Sequence, residues 1–312
     1  MNREEVTPLI LTWNEAPNIG RCLDRLHWAS EVVILDSGSN DETESIAGEY
    51  SNVRFETRPF DTHAKQWNHG SSLVSTPWVL ALDADYLVEE TFPEELDHLE
   101  TAGVLGFRSH FQYCVEGRPL RATLYPPKTV LFRKDSSHFV QDGHTQLLVD
   151  TGEAPFLRSV IQHDDRKSLD RWLDSQRKYA RLEAEKLSES EPSSLRLPDR
   201  IRRAIWPAAP LTFIYTLFAK GVIRDGWRGL FYALQRTYAE LLLSLYILGG
   251  KLCPSPKSHH GNNPKTEDSS LPLDRADRVN SRDRSHHTSL AHSRVRSVER
   301  DRSPQTSSVP ED

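Results

Sequence analysis

The chain has 312 residues, of which 37% are hydrophobic, and a formal net charge of -6 at pH 7. This size suits one large or two modest domains, and the negative charge argues against a general nucleic-acid binder. The cysteines Cys22, Cys114 and Cys253 lie too far apart for a disulfide framework or a zinc site, which indicates a reducing compartment. No secretory signal is visible, and no uncharged apolar run reaches the ~18 residues of a membrane-spanning helix.

The first part of the chain alternates predicted strands and helices. Apolar runs predict strands over 6–12, 31–36 and 78–82, and a short strand is predicted over 53–57. Helices are predicted near Pro17, after Asp41, which forms a capping-box pattern with Glu44, and over 61–73. This alternation predicts an α/β fold with a mostly parallel central sheet and helices on both faces.

Three polar loops follow predicted strands, over 12–15, 36–41 and 83–85. The carboxyl ends of parallel strands meet at one edge of a sheet, where open α/β sheets bind their ligands. Asp83 and Asp85 come directly after a buried strand, and paired carboxylates there suit Mg²⁺ or Mn²⁺ holding a diphosphate. The alternative interpretation is an Asp-rich surface turn.

The loop that begins at Asp36 has other interpretations that its residues disfavour. A calcium loop of the EF-hand type would need a carboxylate at its twelfth position, where the chain has Ala47. A dinucleotide-binding fold would need a G-x-G-x-x-G turn after the first strand, and that turn is absent. Gly38 permits close backbone approach, and Asp36 can accept a hydrogen bond from a base or a ribose hydroxyl.

The middle of the chain predicts a helix, a group of strands and a second helix. The predicted helix covers 90–101, and the predicted strands cover 104–115, 121–125, 129–133 and 139–150, with a turn at Glu116-Gly117. A long helix over 169–187 is predicted to begin at Ser168 as its N-cap and to pack an apolar face on the sheet. Residues 188–200 are typical of a linker.

Basic residues then flank apolar, aromatic helices over 204–219 and 230–250. This pattern favours a position in the interface of an anionic membrane, and a helical hairpin packed on the first domain is the alternative. The tail over 251–312 has almost no large apolar residues, which is typical of disorder. The basic residues are Arg200, Arg202, Arg203, Lys220, Arg224 and Arg228.

Four motifs, in order, resemble the family 2 glycosyltransferases of GT-A fold, and most closely the bacterial branch that adds hexoses to the lipopolysaccharide core. They are Thr12-Trp13-Asn14-Glu15, the loop 36–41, Arg58-Pro59-Phe60 and Leu82-Asp83-Ala84-Asp85. The resemblance implies a GT-A sandwich as the catalytic domain over 1–190, a membrane-associated helical region over 191–250 and a tail over 251–312.

The resemblance also implies roles for residues at the strand ends. Asp85 would bind Mg²⁺ or Mn²⁺, and Asp83 would lie near the ribose or the metal. Lys65 lies where the family often has a basic residue near the phosphates, and its alternative is a solvated helix lysine. The nucleotide of the sugar donor would be held by Thr12, Asn14, Glu15, Asp36, Ser37 and Gly38.

The catalytic base is where the chain departs from the family. Relatives usually carry His-Glu where this chain has His144-Thr145. Asp142 is the nearest carboxylate and the first candidate for the base, with His144 second. His163 also matches a histidine in relatives, and it has either a role in the site or a structural hydrogen bond.

The resemblance implies an inverting glycosyltransferase that moves a hexose from a nucleotide-diphosphate sugar to a glycan or lipid-linked acceptor in cell-envelope biosynthesis. It would lie on the cytoplasmic face of the inner membrane and bind no nucleic acid. A sugar-nucleotide pyrophosphorylase would need a Gly-rich loop after the first strand, which 12–20 lacks. A membrane scaffold that binds nucleotide sugars without catalysis is the other alternative, because His144-Thr145 lacks the usual carboxylate.

Overall fold

The computed structural model describes residues 1–142, 145–191, 193 and 195–253. The strands are β1 (Val6–Thr12), β2 (Val32–Asp36), β3 (Val53–Thr57), β4 (Trp78–Asp83), β5 (Tyr86–Leu87), β6 (Gly106–Ser109), β7 (Phe111–Val115), β8 (Arg118–Pro119), β9 (Lys128–Arg133), β10 (His138–Asp142), β11 (Thr145–Val149) and β12 (Ile161–His163). The α-helices are α1 (Ile19–Leu23), α2 (Thr43–Ala47), α3 (His63–Leu73), α4 (Phe92–Asp97), α5 (Leu169–Glu189), α6 (Leu197–Arg203), α7 (Ala208–Ile214) and α8 (Trp227–Leu252). Short 3-10 or π-helical turns occupy Arg3–Glu5, Tyr215–Ala219 and Val222–Asp225.

A six-stranded sheet in the order β3-β2-β1-β4-β9-β6 forms the centre of the fold. Neighbours among the first four strands run parallel, and β9 pairs antiparallel with both β4 and β6. The parallel strands β1 and β2 are buried nearly throughout, as expected where both faces of a sheet are covered. The predicted α/β fold with a mostly parallel sheet is confirmed.

Alternate residues of each central strand pack on opposite faces of this sheet. Ile10 belongs to a core with Ile19 of α1, whereas its neighbour Leu9 packs against Trp67 of α3. The contact between α3 and β1 is close, because a methyl group added at Gly70 would lie 2.8 Å from a carbon of Leu9. Helices thus cover both faces of the sheet.

A second sheet, in the order β5-β12-β7-β8, lies next to the end of β4 in sequence. Its central strand β12 pairs antiparallel with β5 and parallel with β7, so that His163 lies between Tyr86 and Tyr113. The predicted turn at Glu116-Gly117 links β7 to β8, and both residues have positive φ. Because β5 begins directly after Asp85, this sheet brings His163 beside the end of the central strand.

The strand predicted over 121–125 is wrong, because the segment is irregular in the structure. Its backbone N–H groups are satisfied by side chains instead of a neighbouring strand. Arg121 donates to Asp225, and Leu124 donates to the hydroxyl of Tyr232 on α8. Prolines at 119, 126 and 127 flank the segment and lack the N–H that a strand ladder needs.

The long helix α5 begins as predicted, with the Ser168 hydroxyl accepting from the Arg171 N–H. Its predicted packing on the sheet is wrong, because its buried side chains belong to a cluster with α8. Ala180, Ala184 and Leu187 share this cluster with Leu243. The small side chains Ala180 and Ala184 permit close approach of the two helices.

Three smaller predictions also differ from the structure. The helix predicted over 90–101 is shortened to α4, and α2 begins at Thr43, where Asp41 accepts from Thr43 without a capping box to Glu44. Part of the predicted linker, Leu197–Arg203, forms α6. The tail predicted from 251 lies outside the described residues beyond 253, and no described helix is both long and apolar enough to span a membrane.

Candidate active site

The predicted meeting of the strand ends at one edge of the sheet is confirmed. Thr12, the last residue of β1, pairs with Asp36, the last residue of β2. Leu11 pairs with Asp83 at the end of β4 on the other side. Three loops therefore open at the same edge, where α/β sheets bind their ligands.

Asp36 organises the second of these loops. Its side chain is only 3% exposed, and its oxygens accept from the hydroxyls of Thr12 and Ser39 and from the N–H groups of Gly38 and Ser39. A carboxylate offers about four acceptor sites, so these contacts use them all. The predicted contact of Asp36 with a nucleotide would require one of these four hydrogen bonds to break.

The loop after β1 is held against the loop after β2. The Asn14 N–H donates to Ser39, and the Asn14 side chain accepts from the Asn40 N–H at 2.8 Å. Asn14 has a φ of 56°, a left-handed conformation that asparagine tolerates better than most residues. Trp13, beside it, is 60% exposed. The two predicted nucleotide loops form one connected surface.

A fourth segment, the loop 163–168 after β12, completes this edge of the site. Lys167 forms an ion pair with Glu15 at 2.6 Å, and Asn18 donates to Asp165 at 2.9 Å. Arg171, in the first turn of α5, donates to the carbonyl of Asn14. His163 and the N-cap Ser168 were named from the sequence but Lys167 was assigned no role, and the run of charged residues between them was the available signal.

Burial shifts the ionisation of the pair Glu15 and Lys167. It raises the pKa of Glu15 to about 7 although Lys167 lies beside it. Burial alone would lower the pKa of Lys167, but the carboxylates of Glu15, Asp85 and Asp165 raise it above its ordinary value. Lys167 therefore stays charged as the cation of this part of the site.

Asp85 and His163 form the most buried ion pair of the site, with 3.1 Å between Oδ2 and Nε2. Burial alone would raise the pKa of Asp85, but the charge and hydrogen bond of His163 lower it to about 2. Burial would likewise lower the pKa of His163, and Asp85 raises it instead. The His163 ring also lies 5.1 to 5.2 Å from the rings of Tyr86, Tyr113 and Tyr125.

The side chains at this point suit a divalent cation. Asp85 and His163 offer an oxygen and a nitrogen donor, and Asp83 precedes them at the end of β4. No group of three such side chains converges among the described residues, but Mg²⁺ commonly takes one or two carboxylates and leaves the remaining positions to phosphate and water. The buried Nδ1 of His163 has no hydrogen-bond partner among the described residues, and such an atom calls for a water, ion or ligand as its partner.

Asp164 fastens the loop 163–168 to the rest of the protein. Its carboxylate accepts from Arg21 at 2.6 Å, from Arg166 at 3.0 Å and from the N–H of Gly117. Burial alone would raise its pKa, but these hydrogen bonds and charges lower it. The loop that carries His163 and Lys167 is thus fixed by a buried carboxylate with two cations.

Ser37 and Lys65, two residues predicted to bind the donor, have different surroundings. Ser37 accepts from Gln66, which also binds Arg58, so Gln66 belongs to the strand edge although sequence reasoning missed it. Lys65 has a side chain that is 64% exposed and forms an ion pair with Asp61. The structure brings Ser37 into the site, and it pairs Lys65 with Asp61, which lies just before α3.

Of the two predicted base candidates, the structure describes only Asp142, at the end of β10. Asp142, the last residue of β10, forms an ion pair with Lys186 at 2.6 Å. Lys186 is 17 positions after Leu169, the first residue of α5. Asp142 therefore pairs with α5 about 25 Å along the helix from the end that contacts the loop of Asn14. His144 lies outside the described residues.

Comparison with known proteins identifies the domain that carries this site. Residues 9–163 match the family model described as glycosyl transferase family 2. The lipopolysaccharide core biosynthesis glycosyltransferase LpsC of Rhizobium meliloti (strain 1021) is 26% identical over 262 residues, which is 78% of this chain and 91% of LpsC. An uncharacterized glycosyltransferase of Rickettsia felis is 29% identical over 110 residues, covering 35% of this chain and 36% of that protein.

Two solved structures of glycosyltransferases are similar to this chain. The mannosyltransferase PcManGT from Pyrobaculum calidifontis, in complex with GDP-Man and Mn²⁺, has a TM-score of 0.47 and 15% identity, covering 80% of this chain and 87% of that one. Staphylococcus aureus TarS in complex with UDP-GlcNAc has a TM-score of 0.40 and 14% identity, covering 81% and 92%. The family match over 9–163 contains Asp36, Asp83, Asp85 and His163 of the strand edge; it confirms the predicted GT-A fold, and the chain carries a family 2 glycosyltransferase domain and is a glycosyltransferase.

Proposed function

We propose that the protein is an inverting hexosyltransferase that takes its sugar from a nucleoside-diphosphate donor and acts in lipopolysaccharide core biosynthesis. The observation that carries the proposal is the joined edge of four segments, where Asp83, Asp85 and His163 lie beside the loops of Thr12 and Asp36. The name of the relative LpsC supports the acceptor class, because the similarity covers 91% of that protein.

The donor nucleotide would lie on the surface formed by the loops after β1 and β2. Trp13 offers an exposed ring there, and the backbone of Gly38 can approach a ligand closely because it has no side chain. Lys167 stays charged beside Glu15, and its ammonium would attract the phosphates of the donor. These groups fix the donor with its diphosphate towards the end of β4.

The departure of a diphosphate from the anomeric carbon is the difficult step of the reaction. Mg²⁺ or Mn²⁺, when bound, would neutralise the charge that develops on this leaving group. Asp85 would hold the cation with His163, and Asp83 would lie beside them. The tyrosine rings around His163 keep water from the imidazole, which strengthens the electrostatic interactions of this pair.

A base must take the proton of the acceptor hydroxyl as it attacks. We keep Asp142 as the first candidate and His144 as the second, with Lys186 as a partner that holds the Asp142 carboxylate. General-base catalysis contributes roughly 10²–10⁴-fold to a rate. Asp142→Asn is expected to lower turnover by about this factor and to leave donor affinity unchanged, and the same measurements on His144→Ala decide between the two residues.

The helices from α6 to α8 would hold the enzyme at an anionic membrane, on its cytoplasmic face, near a lipid-linked acceptor. Trp206 and Trp227 are 81% and 83% exposed. Other exposed apolar side chains of this membrane face are Leu197, Leu211, Ile214, Phe218, Ile223, Leu234, Leu241, Leu245 and Leu252. Monomeric soluble proteins rarely expose so much apolar surface in one region unless it binds a partner.

Basic residues accompany this face and support an anionic partner. Arg200 and Arg203 line a cleft of about 600 Å³ together with Ser193, Leu195 and Ala204. Arg202, counted among the basic residues from sequence, forms an ion pair with Glu240 and joins α6 to α8 instead. The two arginines of the cleft suit the phosphate of a lipid headgroup.

A donor screen tests the proposed function. The unmodified protein is heated with UDP-, GDP- and ADP-hexoses, each with and without Mn²⁺, because a ligand that binds only the folded state raises its melting temperature. We expect one nucleotide class to stabilise the protein more strongly with Mn²⁺. Turnover of that donor with a lipopolysaccharide-core acceptor supports the proposal, whereas binding without turnover on a broad acceptor panel would favour a nucleotide-sugar-binding scaffold.

A further inference from the structure

One cation at the strand edge has no role in the site described above. Lys128 is the first residue of β9, the antiparallel neighbour of β4. The register pairs Trp78 with Arg133 and Leu80 with Leu131, so each step up β4 is a step down β9. Continued by three residues beyond Leu80, this register places Lys128 opposite Asp83.

Two tyrosines hold the Lys128 ammonium in place. Nζ donates to the Tyr125 hydroxyl at 2.5 Å, and this hydroxyl lies 2.5 Å from that of Tyr86. The ammonium is also 4.5 Å from the centre of the Tyr125 ring. An ammonium has three donors, and the Tyr125 hydroxyl is the single hydrogen-bond partner of the Lys128 ammonium among the described residues. Two donors are therefore open to a ligand.

The surrounding charges keep Lys128 protonated. Burial alone would lower its pKa, but Tyr125, Asp83 and Asp85 raise it. Asp85 already has His163 as its charged partner, and Glu15 has Lys167. Lys128 makes no ion pair within 4 Å among the described residues, so no carboxylate of the protein pairs directly with its charge.

We propose that Lys128 is a donor-binding residue, which contacts an oxygen of the donor's diphosphate from the β9 side of the strand edge. This inference rests on the proposed function, because it assumes a nucleoside-diphosphate donor. The positions of the site support it: Lys128 faces Asp83 across the end of β4, and Asp85 follows two residues later. A fixed ammonium would hold the leaving group from the side opposite to Lys167 and the loop of Glu15.

The alternative role for Lys128 is to balance the charge of Asp83 and Asp85 in the folded protein. The two roles predict different effects of Lys128→Met. If the lysine only balances charge, the variant loses stability and Asp83→Asn restores it. If the lysine binds the donor, the variant loses affinity for diphosphates, and Asp83→Asn does not restore this affinity.

The experiment measures binding of UDP, GDP, UMP and GMP in the presence of Mn²⁺, by calorimetry, to the unmodified chain and to Lys128→Met. A hydrogen bond to a charged group contributes about 1.5–3 kcal/mol, so we expect the better diphosphate to bind about 10- to 100-fold more weakly to the variant. The matching monophosphate should bind nearly equally to both. Lys134→Met is the matched control, because Lys134 follows the other end of β9 and binds the Val74 carbonyl.

Equal diphosphate affinity in Lys128→Met and the unmodified chain would overturn the inference and leave the proposed function standing. Failure of the unmodified chain to bind any of the four nucleotides would instead count against the proposed function and the inference together. If Lys128→Met does not fold, Lys128→Gln, which keeps a polar side chain without the charge, is tested in its place. A loss of diphosphate affinity in Lys128→Gln supports the inference, and unchanged affinity overturns it.

Discussion

At the scale of single residues, Asp85 is the side chain on which metal binding should depend. Asp85→Asn keeps the size of the side chain and removes the charge that pairs with His163. We expect turnover to lose its dependence on Mn²⁺ and to fall by at least about 100-fold, the size of effect that follows loss of a group stabilising developing charge. The measurement is initial rate against Mn²⁺ concentration for the variant and the unmodified chain.

Asp97→Asn is the control for this variant, because Asp97 is a carboxylate paired with Arg3 at the surface, outside the strand edge. It should keep the metal dependence of the unmodified chain. Near-normal, Mn²⁺-dependent turnover of Asp85→Asn would contradict the assignment of Asp85 as a metal ligand.

The ion pairs of Asp164 predict how the stability of the folded protein depends on pH. Its pKa is lowered in the folded state, so its contribution to stability is present above the unfolded value, about 3.9, and is lost as the pH falls through the lower folded value. Asp164→Asn should destabilise the protein by about 3 kcal/mol at pH 7, because Arg21 and Arg166 lose their buried partner. The difference from the unmodified chain should shrink below about pH 4.

Melting temperatures of both proteins between pH 3 and pH 8 check this prediction. A difference that stays constant across the range would show that the charge of Asp164 is not what stabilises the loop. Loss of activity without loss of stability would instead indicate that the loop moves and leaves His163 and Lys167 misplaced.

The residues of the site were predictable from sequence where they end a strand. Asp36 and Asp83 follow apolar runs, and the topology of parallel strands brings such ends together. Lys167 and Arg171 were missed because they follow β12, a strand of a second sheet, and the sequence pattern does not show which loop that sheet brings beside the first sheet.

At the scale of secondary-structure elements, Gly229 tests the contact between α8 and the turn before it. A methyl group at this position would lie 1.7 Å from the carbonyl oxygen of Val222, which is backbone and cannot rotate away. We expect Gly229→Ala to lower the free energy of unfolding by about 3 kcal/mol or more, the upper range for overpacking. Thermal or chemical denaturation measures it.

Gly249→Ala is the matched control, because Gly249 lies in the same helix and a methyl group there meets no atom within 4 Å. Alanine favours helix over glycine by up to about 1 kcal/mol, so this variant should be neutral or more stable. Equal destabilisation by both substitutions would mean that α8 does not pack on the turn as described.

The elements themselves were predicted best where one physical rule decided them. The strands β1, β2 and β4 are mostly apolar runs of four to eight residues, and their predicted bounds agree with the structure to within a residue. The segment 121–125 has a similar composition but is flanked by prolines, and side chains of distant elements satisfy its N–H groups. The partner of α5 was missed for the same reason, since an apolar stripe shows that a helix packs but not on what.

At the scale of the whole molecule, the polar strand edge and the apolar membrane face occupy different parts of the chain. The site is built from residues before 172, and the exposed apolar side chains of the membrane face come from 197–252. An enzyme with a lipid-linked acceptor needs both features. Because the two features lie in different parts of the chain, substitutions in the membrane face should leave the residues of the strand edge unchanged.

The unmodified chain should float with anionic liposomes, and less of it should float as salt is raised, because each basic residue near an anionic surface contributes about 1 kcal/mol and salt screens it. Trp206→Ser combined with Trp227→Ser should reduce flotation at low salt, since both rings are exposed in this face. Phe156→Ser removes an exposed aromatic ring from another part of the surface and should float like the unmodified chain. If the unmodified chain stays monodisperse and does not float, the helices serve as a packed hairpin and the membrane proposal is wrong. If flotation survives the double tryptophan substitution but disappears in high salt, the arginines of the cleft at Arg200 and Arg203 bind the membrane without the apolar face.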